Sequence, residues 1–379
     1  MNAESRPALR RQLVASGPVS TRAAVAAVRA DTPGLSPRGV LTAAEQLHRD
    51  LTGAGRLEPL LADPTVTDIC VNGPGPVWVD TGGGLRRSGL VLDDPEELRA
   101  LASRLAAAGG QRLDDAAPFA DARLPSGIRV HAALPPLTPA GVHLSLRVPA
   151  SRRFSLDALV RGGALPPDGR ELLVGLVRSG AGFLVTGATG TGKTTMLSAL
   201  LGHAAAGERI VMVEDSAELA PDHPHLVRLE ARRPNAEGHG GIGLAELIRQ
   251  ALRMRPDRLV VGEARGAEVT DLLTALNTGH AGGCGTIHAD RPVHLPARVE
   301  ALASLSGWSR ASAHSQLAAA VDAVVHLRRD PDGARRVAEL ALLDLRAGVV
   351  VATPAWDLSG GHAVAGPAAR DWAQRCSRC

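Results

Sequence analysis

Runs of consecutive apolar residues, many of them β-branched, alternate with helix-period segments along the second half of the chain. The clearest runs stand at 182–186, 209–213 and 258–262, and apolar residues at helical spacing follow the first run over 195–206. Short buried strands that alternate with helices are typical of a parallel sheet covered on both faces. We therefore predict an α/β domain with a mostly parallel sheet over residues 168–352.

The segment before it, residues 58–150, has a different pattern. One helix is predicted from Asp94 to Ala108, with Asp93 or Asp94 as its N-cap. Short β-branched runs surround that helix in the sequence, at 66–71, 77–80 and 142–148. This pattern predicts a smaller α+β domain.

Three flanking segments complete the predicted organisation. Residues 1–57 contain two stretches of helical spacing, 21–29 and 42–51. They predict a helical N-terminal extension, either a docking element for a membrane protein or a mobile arm. Pro and Gly residues that interrupt regular structure predict a linker over 151–167 and a flexible C-terminal tail over 353–379.

Composition narrows the function classes. The chain has 379 residues, enough for two or three domains, and its 45% hydrophobic and 21% charged residues are typical of globular proteins. A net charge of +3 gives little reason to expect nucleic acid, and 2% aromatic residues disfavour base-stacking readers. The most apolar span, 337–356, is interrupted by charges, so no transmembrane helix is predicted. The absence of a signal core and the small number of cysteines predict a reducing, cytoplasmic location.

Lys193 is the only lysine, whereas the other 41 basic residues are arginine. It lies in a G-x-x-x-x-G-K-[ST] segment between a predicted strand and a predicted helix, the context of a phosphate-binding P-loop. Backbone N–H groups and the helix N-terminus would surround the phosphates of ATP, and Lys193 would contact the β- and γ-phosphates. The Thr194 hydroxyl would bind Mg²⁺. The predicted nucleotide-binding residues are Gly187, Ala188, Thr189, Gly190, Thr191, Gly192, Lys193, Thr194 and Thr195.

Two of the predicted strands end in acidic residues. Parallel strands place their carboxyl ends at one edge of a sheet, so these acids should lie near the P-loop. We predict that Glu263 polarises the attacking water and that Glu214 or Asp215 holds the water shell of the metal. Gly262 stands where many P-loop enzymes have a metal-binding Asp. Solvated acids at the ends of strands are the alternative.

Two histidines, His280 and His288, flank a glycine-rich turn and a short strand. Zinc is one interpretation, but Cys284 does not complete a four-ligand spacing. We favour a sensor that contacts the γ-phosphate through a hydrogen bond.

The ordered set of motifs resembles the secretion ATPases of the type II/type IV pilus superfamily, and most closely the Tad/CpaF and conjugal-transfer ATPases. The resemblance covers about residues 60–350. It is carried by VTDICVNGPGPVWVD at 66–80, RLDDAAPFADARLPSGIRVHAALPP at 112–136, LVTGATGTGKTT, VEDSAEL at 213–219, RRPNAEG at 232–238, RQALRMRPDRLVVGEARG at 249–266, LNTGH and GTIHAD.

The resemblance implies a ring, a hexamer, in which ATP lies between the N-terminal domain and a RecA-like P-loop domain. It also implies that arginines of the N-terminal domain close on the γ-phosphate, and Arg129 and Arg147 match those positions, with Arg123 as a third candidate. An arginine fork neutralises charge on a transferring phosphoryl group. The alternative is that each of these arginines is an ordinary surface residue, because the chain contains 41 arginines.

These observations predict an ATP-hydrolysing ring motor for pilus assembly or secretion. Its partners would be further copies of the chain and an inner-membrane platform protein, with peripheral membrane association and no direct nucleic acid. The alternatives are a RecA-like DNA translocase or helicase, a small-molecule P-loop kinase and a non-hydrolysing scaffold. The terminal Cys376-x-x-Cys379 pair could be part of a shared zinc site, a redox pair or without function.

Overall fold

A computed structural model describes residues 21–32, 34, 36–149, 154–232, 234, 239–279 and 282–376. The chain forms two compact units, residues 1–151 and 152–379. No helix within the described ranges is long and apolar enough to cross a membrane.

The first unit holds four α-helices and six strands among its described residues. In chain order they are α1 (Thr21–Asp31), α2 (Pro37–Thr52), α3 (Glu58–Leu61), β1 (Asp68–Asn72), β2 (Gly75–Asp80), β3 (Leu85–Leu92), α4 (Pro95–Ala108), β4 (Phe119–Arg123), β5 (Arg129–Ala133) and β6 (His143–Arg147).

The six strands form one antiparallel sheet in the order β3-β2-β1-β6-β5-β4. Alternate residues of these strands are buried and join the apolar side of α4 in one core. The Asp94 side chain accepts a hydrogen bond from the Glu96 N–H at 2.9 Å, which makes Asp94 the N-cap. The α+β pattern therefore follows from period-two burial beside one capped helix.

The second unit begins close to its sheet. Its described elements are α5 (Leu156–Arg161), α6 (Pro167–Arg178), β7 (Phe183–Thr186), α7 (Lys193–Leu201), β8 (Ile210–Glu214), β9 (Leu226–Glu230), α8 (Leu244–Leu252), β10 (Arg258–Ala264), α9 (Val269–Leu276), β11 (Cys284–Ile287), α10 (Leu295–Ser304), α11 (Arg310–Ala320), β12 (Ala323–Arg329), β13 (Arg335–Arg346), β14 (Val349–Asp357), β15 (Val364–Ala365) and α12 (Ala369–Cys376).

Nine strands form the sheet of this unit, in the order β15-β14-β13-β12-β7-β11-β10-β8-β9. The strands from β12 to β9 pair in parallel, whereas β13, β14 and β15 add antiparallel pairs at one edge. Residues of β8 alternate between two cores, with Met212 on one face and Val213 on the other. The unit is an α/β fold, as predicted, with a parallel centre and an antiparallel edge.

Two flanking predictions are corrected by this unit. Residues 353–376 are not a flexible tail, because β14 continues to Asp357 and α12 buries Trp372, which is 5% exposed, in the core. The Arg375 guanidinium fixes α12 by donating to the Asp344 carboxylate at 2.5 Å. The predicted linker likewise contains α5, where Leu156 is fully buried.

Candidate nucleotide-binding site

The P-loop connects the buried strand β7 to α7. Gly187 has φ +147°, and a Cβ there would lie 2.5 Å from the Leu327 carbonyl oxygen, so a side chain has no room. Gly192, with φ +94°, is the left-handed N-cap of α7, whose first residue is Lys193. The Thr191 hydroxyl donates to the Ala188 carbonyl at 2.9 Å and closes the loop.

The Lys193 ammonium lies within this loop and is 8% exposed. Its Nζ donates to the carbonyl oxygens of Gly187 and Ala188, both at 3.0 Å. The ring nitrogens of His288 lie 3.4 and 3.5 Å from the same atom. Burial lowers the pKa of Lys193, and the nearby Glu263 carboxylate partly opposes that shift.

Glu263 stands near the end of β10 and His288 directly follows β11, the neighbouring strand. His288 Nε2 lies 2.5 Å from Glu263 Oε1. Both side chains are about one-third exposed, so they line an accessible edge rather than the core. The structure thus connects the only lysine, one histidine and one glutamate by direct contacts.

Arg265 extends this set, although the sequence analysis did not select it. Its Nη1 lies 4.0 Å from Glu263 Oε2, and its Nη2 forms an ion pair with the Asp215 carboxylate. The hydrogen bond to Asp215 raises the pKa of the Arg265 guanidinium. No signal in the sequence distinguishes Arg265 from the other arginines, since it lies just beyond the end of β10. Five charged or titratable groups therefore lie in one line of contacts, in the order Lys193, His288, Glu263, Arg265 and Asp215.

Glu214 occupies a more enclosed position at the end of β8, where it is 2% exposed. Its Oε1 accepts hydrogen bonds from the N–H groups of Glu218 at 2.8 Å and Leu219 at 2.7 Å. Its Oε2 is buried without a hydrogen bond to any described residue, although Arg228 Nε lies 3.3 Å away. Burial raises the pKa of Glu214, whereas the two backbone bonds and Arg228 lower it.

Gly262 lies against Glu214. This contact accounts for a glycine at the position where many P-loop enzymes have a metal-binding Asp. A Cβ on Gly262 would lie 2.8 Å from Glu214 Cγ, closer than carbon atoms approach without displacement. The Gly262 carbonyl also accepts a hydrogen bond from the Thr286 hydroxyl of β11 at 2.6 Å. Any side chain at Gly262 would have to displace Glu214.

The other residues predicted from the sequence differ in how exposed they are. Ala188, Thr189 and Gly190 form the exposed part of the P-loop, and Thr194 and Thr195 are half-buried in the first turn of α7. His280 lies outside the described residues.

Cys284 is fully buried, which raises the pKa of its thiol to about 12 and leaves it a poor zinc ligand. Among the described residues, no group of three or more His, Cys, Asp or Glu side chains could hold a metal ion.

The three candidate arginines form a row across the sheet of the first unit. Arg123 of β4 is in register with Arg129 of β5, which is in register with Arg147 of β6. Arg147 is also in register with Asp68 of β1. Directly opposed residues of antiparallel strands share one face, so the three arginines lie side by side. Arg147 is exposed and the other two are half-buried.

Comparison with known proteins identifies a family for this chain. The sequence profile described as Type II/IV secretion system protein matches residues 50–354. The chain belongs to this family. A putative conjugal transfer protein of Mycobacterium tuberculosis H37Rv is 52% identical over 328 residues, covering 85% of this chain and 93% of that protein. The type IV secretion system protein PtlH of Bordetella pertussis is 34% identical over 313 residues, covering 74% and 91%.

A solved structure supports the fold of this secretion family member. The X-ray structure of the Yersinia pseudotuberculosis ATPase DotB has a TM-score of 0.55 and 18% identity, covering 78% of this chain and 79% of that one. At that identity the likeness concerns the fold alone. The resemblance to secretion ATPases, inferred from the motifs, is confirmed by the family match and the two relatives.

Proposed function

We propose that this chain is a Mg²⁺-dependent ATPase that assembles into a hexameric ring and powers a Tad/Flp-type pilus or a type II or type IV secretion machine. The observation that carries the proposal is the contact of P-loop Lys193 with His288, and of His288 with Glu263. The family match and the conjugal transfer relative support the class of machine. The parallel centre of the sheet supports a RecA-like domain.

In this proposal the residues of the second unit divide the chemistry between them. The backbone N–H groups of the P-loop and the Lys193 ammonium bind the β- and γ-phosphates of ATP. Glu263 accepts a proton from the attacking water, because its carboxylate is accessible. It lies near the end of β10, which is separated from the P-loop strand β7 only by β11. His288 donates a hydrogen bond to the γ-phosphate and so distinguishes ATP from ADP. His280 keeps its predicted role in the same sensor.

The oxygen donors of this site fit Mg²⁺. Hydroxyl and carboxylate oxygens are its preferred protein ligands, and the buried Glu214 Oε2 has no hydrogen bond from the described residues. Thr194 would hold the ion, with Glu214 and Asp215 ordering its water shell. When bound, Mg²⁺ neutralises charge on the phosphate oxygens.

In this proposal, the row of arginines promotes hydrolysis. Arg129 and Arg147, with Arg123 beside them, would stabilise the charge on the transferred phosphoryl group. Their common face supports a shared role, since one anionic ligand could contact adjacent guanidinium groups.

The proposed setting is the cytoplasmic face of the cytoplasmic membrane, with an inner-membrane platform protein as partner. The chain would associate peripherally and act on protein components rather than bind nucleic acid. A DNA translocase or a small-molecule kinase would also need a P-loop, but no described residue favours either alternative over a secretion motor.

Light scattering tests the ring. The solution mass of the full chain is measured with Mg²⁺, with and without a non-hydrolysable ATP analogue. We expect the analogue to shift the mass towards six times the 39.1 kDa of one chain, because nucleotide would be enclosed within the assembly. A monomer under both conditions, on a chain shown to bind the analogue, contradicts the proposed ring.

A further inference from the structure

Strand β12 lies directly beside the P-loop, on the side away from Glu263 and His288. It pairs in parallel with β7 and continues past the end of that strand. The Leu327 carbonyl oxygen lies 2.5 Å from the position of a Cβ on Gly187. At Gly192, the corresponding position lies 3.9 Å from Leu327 Cδ2 and 3.8 Å from Arg335 Cδ. Arg335, the first residue of β13, therefore reaches the N-terminal cap of the P-loop helix.

Two pairs of arginines face each other where β12 and β13 meet. Arg328 is in register with Arg336, and Arg329 with Arg335. Asp330 neutralises the first pair, because it accepts hydrogen bonds from Arg328 at 2.7 Å and Arg336 at 2.9 Å. Among the described residues, none lies within hydrogen-bond or ion-pair distance of the Arg335 guanidinium. Like charges directly opposed across strands are destabilising. Arg329 Nε donates to the Gly333 carbonyl at 3.3 Å, but no acidic side chain of the described residues neutralises the second pair as Asp330 neutralises the first.

The uncompensated pair lies on the face of the sheet that α7 covers. Leu327 and Val337 are in register and belong to the core beneath α7. Arg329 lies two residues after Leu327 and Arg335 lies two residues before Val337, so their side chains point to that same face. The free guanidinium thus stands at the edge of the proposed nucleotide site.

The order of the strands indicates which part of the nucleotide Arg335 would meet. Glu263, near the end of β10, and His288, directly after β11, lie on one side of β7, where the γ-phosphate and the attacking water would be. Strand β12 lies on the other side of β7. With the γ-phosphate beside Glu263, the base end of the ligand would lie on the side of β12 and β13.

A base needs a flat surface to stack on, and this chain has few aromatic residues to provide one. It contains no Tyr, three Phe and four Trp. Phe183 of β7 is fully buried, and Trp372 of α12 is 5% exposed. A guanidinium is planar and can stack flat on an aromatic face, whereas a lysine ammonium is a point charge without a plane. Arg335 thus places a flat side chain at the edge of the P-loop.

We propose that Arg335 binds the base end of the nucleotide by stacking its guanidinium on the base. The inference rests on the proposed function, and it adds a nucleotide-binding residue outside the P-loop, the strand-end acids and the histidines. A contact with the base favours ATP and ADP alike, unlike a contact with the γ-phosphate.

The test compares the dissociation constants of three ligands, ATP, ADP and inorganic tripolyphosphate, in the presence of Mg²⁺. Arg335→Ala should weaken ATP and ADP equally, about tenfold each, as expected for one stacking contact. Tripolyphosphate has no base, so its affinity should change less than twofold. Arg335→Lys should resemble Arg335→Ala, because an ammonium keeps the charge but not the plane. Arg346→Ala, an exposed arginine at the other end of β13, is the matched control.

Other results would overturn the inference. Equal weakening of all three ligands, or full rescue by Arg335→Lys, would assign Arg335 to the phosphates as a simple charge. Unchanged affinity for ATP and ADP would remove it from the site. Failure of the proposed function looks different, because wild-type protein would then bind none of the three ligands.

Discussion

Two side chains contact the Glu263 carboxylate, one at each of its oxygens. His288 Nε2 lies 2.5 Å from one of its carboxylate oxygens, and Arg265 Nη1 lies 4.0 Å from the other. Such partners fix the orientation of a carboxylate, which is what a general base requires. The same contacts connect Glu263 to Lys193 through the His288 ring. Glu263, the proposed proton acceptor, and Lys193, the proposed phosphate ligand, are therefore parts of one contiguous group.

Replacing Glu263 with Gln tests its role as the base. The amide keeps the size of the side chain and can still contact His288, but it cannot accept a proton. We expect ATP affinity to stay within about threefold of wild type and the rate of phosphate release to fall about 100-fold or more. Binding is measured by fluorescence with a labelled nucleotide and turnover by a phosphate assay. Loss of binding would instead assign Glu263 to the structure of the site.

The sequence predicts some residues of this site, but it does not predict Arg265 or the burial of Glu214. The motif context predicts Lys193, and the strand ends predict Glu263 and Glu214 or Asp215, because both signals are local in the chain. Arg265 pairs with Asp215, fifty residues earlier, and nothing in the sequence selects that pair among 41 arginines. The fully enclosed position of Glu214, 2% exposed, also depends on packing that only the folded chain reveals.

At the scale of elements, Glu214 of β8 lies against Gly262 of the neighbouring strand β10. The Glu214 carboxylate is fixed there by two backbone N–H groups of the loop after β8. A side chain at Gly262 would meet Glu214 Cγ at 2.8 Å. The Glu214 side chain is thus enclosed between the loop after β8 and Gly262 of β10.

Gly262→Ala should therefore destabilise the second unit by about 1–3 kcal/mol, the usual cost of overpacking. The free energy of unfolding is measured by urea denaturation. Gly175→Ala is the matched control, because Gly175 lies in α6 and a Cβ there would contact nothing within 4 Å. That control should raise stability by roughly 0.5–1 kcal/mol, since alanine favours helix. Equal effects of the two substitutions would show that the Glu214 contact is loose.

The predicted elements agree with the structure where periodicity is strong. The parallel strands β7, β8 and β10 follow from runs of buried β-branched residues, and each of the three is buried almost throughout. The C-terminal elements escaped prediction because Pro354 and the Gly360-Gly361 pair indicate a loop. The tertiary contacts of Trp372 and Arg375 outweigh that local signal.

At the scale of the molecule, the two units carry different parts of the proposed reaction. The second unit holds the P-loop and the acids, whereas the first unit presents the in-register row of Arg123, Arg129 and Arg147. Hydrolysis should accordingly depend on an arginine far from the P-loop in the sequence.

Arg147→Ala tests that dependence. We expect the rate of ATP hydrolysis to fall about 1000-fold, as for an arginine that stabilises the transferred phosphoryl group. The melting temperature should stay unchanged, because the Arg147 side chain is exposed. Arg86→Ala, an exposed arginine of β3 in the same sheet, is the control and should keep the wild-type rate. An unchanged rate for Arg147→Ala would transfer the role to Arg129 or Arg123.

The most direct test of the account is phosphate release from Mg²⁺-ATP by the full chain, with wild type and Lys193→Ala measured side by side. Lys193 is the only lysine, and its ammonium lies between the P-loop carbonyls and His288. The account predicts steady hydrolysis by wild type and none above background by Lys193→Ala at an unchanged melting temperature. A wild-type rate no higher than that of Lys193→Ala would contradict it.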